Sequence, residues 1–191
     1  LADPIGGLTA LLFAVREGAL DSVRVLLEKG ADINQTSVDG SAPMLVAVQN
    51  GHYEIARLLL DQGADPNLAN AKGWTPLYRA VKNRNQETTA IPGPNNDGVL
   101  PFIKFLLDRG ANPNLRITEE TEVHQGMTAL WLKEPGATPL LRAALCGDLT
   151  VVRLLMAHGA DPLVPTFDHT SPLMVAAGVG WADGMTHEYS E

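Results

Sequence analysis

Five histidines and one cysteine are the side chains here best suited to metal binding or proton transfer. A metal site needs several such ligands to converge, and a motif such as His-Glu-x-x-His does this by placing two on one helix face. These histidines are not arranged that way. His52 follows Gly51 at a break between two helical stretches. His158 stands in the last turn of a helix, just before Gly159, where positive charge suits the helix dipole. His124 lies in an insertion, His169 at a turn and His187 near the end of the sequence. None has a second His, Cys or carboxylate at a metal-ligand spacing, so no metal site and no cofactor are expected. Cys146 has no nearby His in sequence to activate its thiol. Gly6-Gly7 and Gly178-Val179-Gly180 do not follow strands of a βαβ unit, so they do not read as phosphate loops. Asn34-Gln35-Thr36 fits the glycosylation pattern, yet Asn34 also belongs to a repeated phrase, which is the favoured reading. The chemistry-bearing residues thus point to no catalytic site.

The elements that hold these residues are more informative. Gly30-Ala31-Asp32-Ile33-Asn34 returns as Gly63-Ala64-Asp65-Pro66-Asn67, as Gly110-Ala111-Asn112-Pro113-Asn114 and as Gly159-Ala160-Asp161-Pro162. The first two copies are 33 residues apart. A leucine pair precedes each phrase: Leu26-Leu27, Leu58-Leu59, Leu106-Leu107 and Leu154-Leu155. Further upstream stand Thr9-Ala10-Leu11, Ala42-Pro43-Met44, Thr75-Pro76-Leu77, Thr138-Pro139-Leu140 and Ser171-Pro172-Leu173. Self-similarity at this period is the signature of a stacked solenoid.

One unit can be read at residues 40–72. Pro43 suits the first turn of a helix, where its fixed φ helps and its missing N–H costs nothing. Met44, Leu45, Ala47 and Val48 give that helix an apolar stripe. Asn50-Gly51-His52 breaks it, and a second helix follows through Ile55, Ala56, Leu58 and Leu59. Gly63 then turns left-handed without steric cost. Thr9, Thr75, Thr138 and Ser171 occupy helix N-caps; Ala42 cannot cap and forgoes about 1 kcal/mol.

These phrases resemble the ankyrin-repeat family over nearly the whole chain. The resemblance implies an all-α ankyrin-repeat solenoid of four repeats plus half of a fifth, in a single domain spanning residues 1–191. The repeats fall near 7–39, 40–72, 73–135, 136–168 and, in part, 169–191. One departure is consistent. The family usually carries His after the Thr-Pro-Leu phrase, where this chain has Leu12, Leu45, Tyr78, Leu141 and Met174. Apolar packing must replace the hydrogen bonds of that His, so these five are expected at or near the core.

Two spacings break the pattern. From the phrase proline, or Ala10, to the next glycine is 20 residues in repeats one, two and four but 34 in repeat three, so a loop is expected near 86–100. From glycine to the next proline is 13 residues except between Gly110 and Pro139, where it is 29. The extra residues form a finger near 116–135, holding Glu119, Glu120, Glu122, Met127, Leu130, Trp131 and Leu132. Trp131 or Leu132 is expected to pack on repeats three and four. Finger insertions followed by a phrase like Met174-Val175-Ala176-Ala177-Gly178-Val179-Gly180-Trp181 make the chain similar to long ankyrin proteins of environmental bacteria. Some of those look exported and some carry a c-type haem module; this chain has no Cys-x-x-Cys-His. Repeat five supplies only its first helix, and repeat one looks like an interior repeat. The expectation is a longer array, or another chain covering the C-terminal end.

Composition limits the partners. Lys and Arg number 14 against 22 Asp and Glu, a formal net charge of −8, which argues against nucleic acid. No apolar run approaches the ~20 residues of a membrane span. No signal peptide is visible, and cytoplasmic and exported locations both stay open. The leading functional reading is a non-catalytic protein-interaction module. In the family, partners usually meet hairpin tips and the exposed end of the first helix. Mapped here, these are Val38, Asp39, Ser41, Gln49, Asn50, Ala71, Lys72, Trp74, Lys82, Asn83, Ala137, Leu145, Cys146, Phe167, Asp168 and Thr170, with Trp131 from the finger. Trp74 stands out, because Trp is enriched among interface hot spots. The alternatives are a structural subunit of a larger assembly, and an enzyme or small-molecule binder built from the two insertions.

Overall fold

The computed structural model describes residues 7–85, 98–119 and 134–178. Among these the structure is helical, without strands. The first helices of successive repeats are α1 (Ala10–Arg16), α3 (Pro43–Gln49), α5 (Pro76–Arg84), α7 (Pro139–Leu145) and α9 (Pro172–Ala176). The second helices are α2 (Leu20–Glu28), α4 (Tyr53–Asp61), α6 (Val99–Asp108) and α8 (Leu149–Ala157). Each of α1, α3, α5 and α7 packs on the helix that follows it, and the first helices stack one on the next from α1 to α9. The expected insertion near 86–100 ends two residues early, because Val99 and Leu100 already belong to α6.

The repeated phrases have local physical causes. Thr9, Thr75, Thr138 and Ser171 each accept a hydrogen bond from the backbone amide three residues on, at 3.1–3.3 Å. Ala42 makes no such cap. In each Gly-Ala-Asp-type phrase the third residue's side chain folds back onto the amide two residues later. The phrase asparagines reach across repeats. Asn34 accepts from the Asp65 amide at 3.1 Å, Asn67 from the Asn112 amide at 2.7 Å and Asn114 from the Asp161 amide at 2.8 Å. This ladder gives Asn34 a structural role.

Among the described residues two apolar cores result. The larger lies between the helix rows and runs through Leu11, Val15, Met44, Ala47, Ile55, Leu59, Leu77, Phe102, Leu106, Leu140 and Leu155. The smaller joins Leu45, Trp74, Tyr78, Ile117, Ala137, Leu141, Leu145 and Val175, where first helices meet the hairpins. Leu12, Leu45, Tyr78 and Leu141 are fully buried, as expected of residues standing where His is usual. Met174 is not: it is 44 % exposed, and the expectation fails there. Burying a leucine is worth about 1.5–3 kcal/mol, so three such positions contribute appreciably.

Candidate protein-binding surface

The short hairpins between repeats share one geometry. A backbone bond closes each neck: Ser37 to Ser41, Asn70 to Trp74 and Thr166 to Thr170. The finger uses the same closure, since the Ile117 amide donates to the Ala137 carbonyl at 3.1 Å. The insertion is therefore an expanded hairpin tip. Neighbouring hairpins are also joined: the Ala71 amide donates to Asp39, Thr118 to Lys72 and Phe167 to Pro135. Arg116 locks the last of these, donating to the Gly136 and Pro165 carbonyls while its guanidinium covers the Phe167 ring at 4.5 Å.

The ends of the finger press on the first helices of repeats three and four. Glu134 is 3 % exposed. Its carboxylate accepts from Arg142 at 2.6 Å, from Tyr78 Oη at 3.4 Å and from Lys82 Nζ at 3.5 Å. Removing a carboxylate from water costs several kcal/mol unless cations and donors replace the lost hydration, and here they do. On the other side of the neck, Trp74 Nε1 donates to the Glu119 carbonyl at 3.0 Å. The Trp74 ring meets Tyr78 edge-on, with centroids 5.3 Å apart, and carries Lys82 Nζ at 4.8 Å. Sequence reading missed Glu134. The available signal was the cations at Arg79, Lys82 and Arg142, which stand where α3 carries Val46 and Gln49; a row of cations at inner helix positions calls for a carboxylate.

This arrangement corrects several expected contact residues. Trp74, at 1 % exposure, is enclosed and is not an open hot spot. Lys82 is buried by its place beside Glu134 and Trp74. Asn83 is buried because its amide donates to the Val48 carbonyl at 2.7 Å and to Tyr53 Oη at 3.2 Å, tying α5 to repeat two. Ser41 is buried with its hydroxyl on Asp39, and Ala137 and Leu145 belong to the smaller core. Gln49, Lys72 and Thr170 are half-buried. Val38, Asp39, Asn50, Ala71, Cys146, Phe167 and Asp168 are exposed. Trp131 and the rest of the finger's apolar run lie outside the described residues.

Phe13, which the expected set lacked, occupies the α1 position corresponding to Arg79 on α5 and is 52 % exposed. Arg16, one turn on, lays its guanidinium 4.8 Å from the Phe13 ring and pairs with Glu17 at 3.0 Å. At the hairpin tip Val38 is 63 % exposed. The Asp39 carboxyl beside it feels burial, which would raise its pKa; hydrogen bonds from Ser37 and Ser41 outweigh that and hold it below the ordinary value.

Two of the histidines, His52 and His158, are accounted for by packing, while His124 and His187 lie outside the described residues. His52 sits over Gly18 and its Nε2 lies 3.1 Å from the Arg16 carbonyl, bridging repeats one and two. His158 places Nδ1 2.8 Å from the Leu154 carbonyl and Nε2 3.1 Å from Asp108, bridging repeats three and four. Among the described residues no group of three or more His, Cys, Asp or Glu converges in a metal-binding arrangement. Among them also, no helix is long and apolar enough to cross a membrane.

Comparison with known proteins agrees with this geometry. A family model described as ankyrin repeats in three copies matches residues 11–91, and the single ankyrin-repeat model matches residues 72–117 and 135–167. No curated protein matches the chain. The stretch between the last two matches falls within the expanded hairpin, so the interruption and the insertion coincide. Its helix pairs, capped phrases and asparagine ladder being those of repeats that the family models recognise over most of its length, the chain belongs to the ankyrin-repeat family.

Proposed function

We propose that this chain is a protein-binding module whose contact surface lies on the first helix of repeat one and on the hairpin tips, rather than along the whole row of first helices. Ankyrin repeats are generally non-catalytic protein–protein interaction modules. The observation that carries the finer reading is the contrast in exposure along that row. Phe13 is 52 % exposed, whereas Lys82, Leu145 and Val175, at inner positions farther along, are buried. An exposed aromatic stacked with an arginine resembles the hot spots of protein interfaces, where Trp, Tyr and Arg predominate. Val38, Asp39 and Asn50 extend the surface from repeat two, and Phe167 and Asp168 supply a second apolar and acidic tip.

The acidic balance suits a partner with basic character at the contact. The test is capture of partners from the native source on immobilised wild-type chain and on Phe13→Glu and Phe167→Glu variants. A protein held by the wild type, lost with Phe13→Glu and held more weakly with Phe167→Glu supports the reading. Equal retention by all three chains contradicts it.

A second reading, a subunit of a larger assembly, draws on a specific observation. Leu149, Met156, Leu163 and Leu173 are exposed on repeats four and five. Its test is the mass of the 191-residue chain in solution over a range of concentrations.

A further inference from the structure

Two devices join each repeat to the next, and both stop at the same place. The first is the asparagine ladder, in which Asn34, Asn67 and Asn114 each accept the amide of the following repeat's phrase. In repeat four the corresponding residue is Leu163, which is 79 % exposed and has no side-chain oxygen to offer. The second device is close approach of the hairpins. Gly40, Gly73 and Gly136 sit at φ of 80°, 75° and 89°. A Cβ on them would lie 3.0 Å from the Ala71 amide nitrogen, 2.8 Å from that of Thr118 and 2.4 Å from that of Phe167. Glycine is therefore required twice over, for its left-handed backbone and for the space. In the hairpin leading into repeat five the same left-handed position, φ 62°, is held by His169, which is exposed. A side chain there would meet the backbone of any hairpin seated at the spacing used elsewhere in the molecule.

We infer that Leu163 and His169 are stop positions, which bar another ankyrin repeat, of this chain or of a second copy, from stacking on repeats four and five in the register used by the others. Whatever meets the exposed side chains of α8 and α9 does so by a different kind of contact. This goes beyond the binding surface on repeat one and does not rest on it. It also narrows the earlier expectation of a continued array: further chain on this side would not continue the same stack.

The experiment has two arms, both read by chemical denaturation. In the 191-residue chain, the stop residues are moved into the interior as Asn114→Leu and Gly136→His. Each is expected to lower the unfolding midpoint clearly, whereas Leu163→Asn and His169→Gly leave it nearly unchanged. In the second arm, residues 49–85 are copied after position 177, adding a second helix, a Gly-Ala-Asp phrase, a hairpin and a first helix in register. With Leu163 and His169 present, the added repeat is expected to melt separately and early. With Leu163→Asn and His169→Gly together, it joins the main transition at a higher midpoint. Two extended chains that unfold alike, or interior variants as stable as the wild type, would overturn the inference.

Discussion

Repeats one and three carry the same phrases and differ in what lies over their first helices. On α1, Phe13 and Arg16 face solvent and touch each other. On α5, the residues in register with them are Arg79 and Lys82, and they lie with Trp74 and Tyr78 beneath Glu119 and Glu134 at the neck of the expanded hairpin. One repeat therefore leaves its inner positions available, and the other has satisfied them internally. Repeat architecture sets the position of a side chain, but its neighbours decide whether a partner can reach it. In this molecule an insertion in the next hairpin turns the most attractive contact residue, Trp74, into a core residue.

The contrast predicts unequal responses to substitution. Glu134→Ala should have the largest effect. It removes the carboxylate between Lys82 and Arg142, and a loss of about 3–5 kcal/mol is expected, as for breaking a buried ion pair. Urea denaturation measures it; a loss similar to that of an exposed pair would show the neck to be wet. Leu45→Ala follows, with about 2–4 kcal/mol for emptying a fully buried site in the smaller core. Phe13→Ala should cost about 0.5 kcal/mol or less, as surface replacements do. A Phe13→Ala loss approaching that of Leu45→Ala would mean that repeat one is as closed as repeat three.

Capping gives a smaller and nearly uniform effect. Thr75→Ala and Thr138→Ala should each cost about 1 kcal/mol, since both hydroxyls accept a helix amide. The smallest effect concerns acid. Asp39 titrates below its ordinary value in the folded chain, so its stabilisation is present above the unfolded-state pKa and is lost as pH falls through the folded one. Asp39→Ala should therefore narrow slightly the gap in unfolding midpoint between neutral pH and about pH 3, the lower side of the ordinary carboxylate range. An unchanged gap would remove Asp39 from the account.

Much of the fold was legible because its causes are local. Caps, breaks and left-handed glycines depend on a few adjacent residues, and Thr138 or Gly63 can be read without knowing the rest. The core positions Leu12, Leu45, Tyr78 and Leu141 were legible because periodicity fixes them. Met174 was not, since its burial depends on a neighbour beyond its own repeat. The contact surface was the least legible part. Trp74, Lys82 and Asn83 occupy positions that are open in many arrays, and only the path of a distant hairpin and the Val48 carbonyl close them. Phe13 was passed over for the converse reason: an apolar residue on an apolar helix reads as core until its neighbours are placed.

The division between open and closed inner positions is tested most directly by hydroxyl-radical footprinting of the intact chain, read at single side chains by mass spectrometry. The account predicts rapid modification of Phe13 and Phe167, with Trp74 and Tyr78 protected until the protein unfolds, despite the higher intrinsic reactivity of indole and phenol. Modification of Trp74 and Tyr78 in the native protein at rates typical of exposed aromatic rings would contradict it.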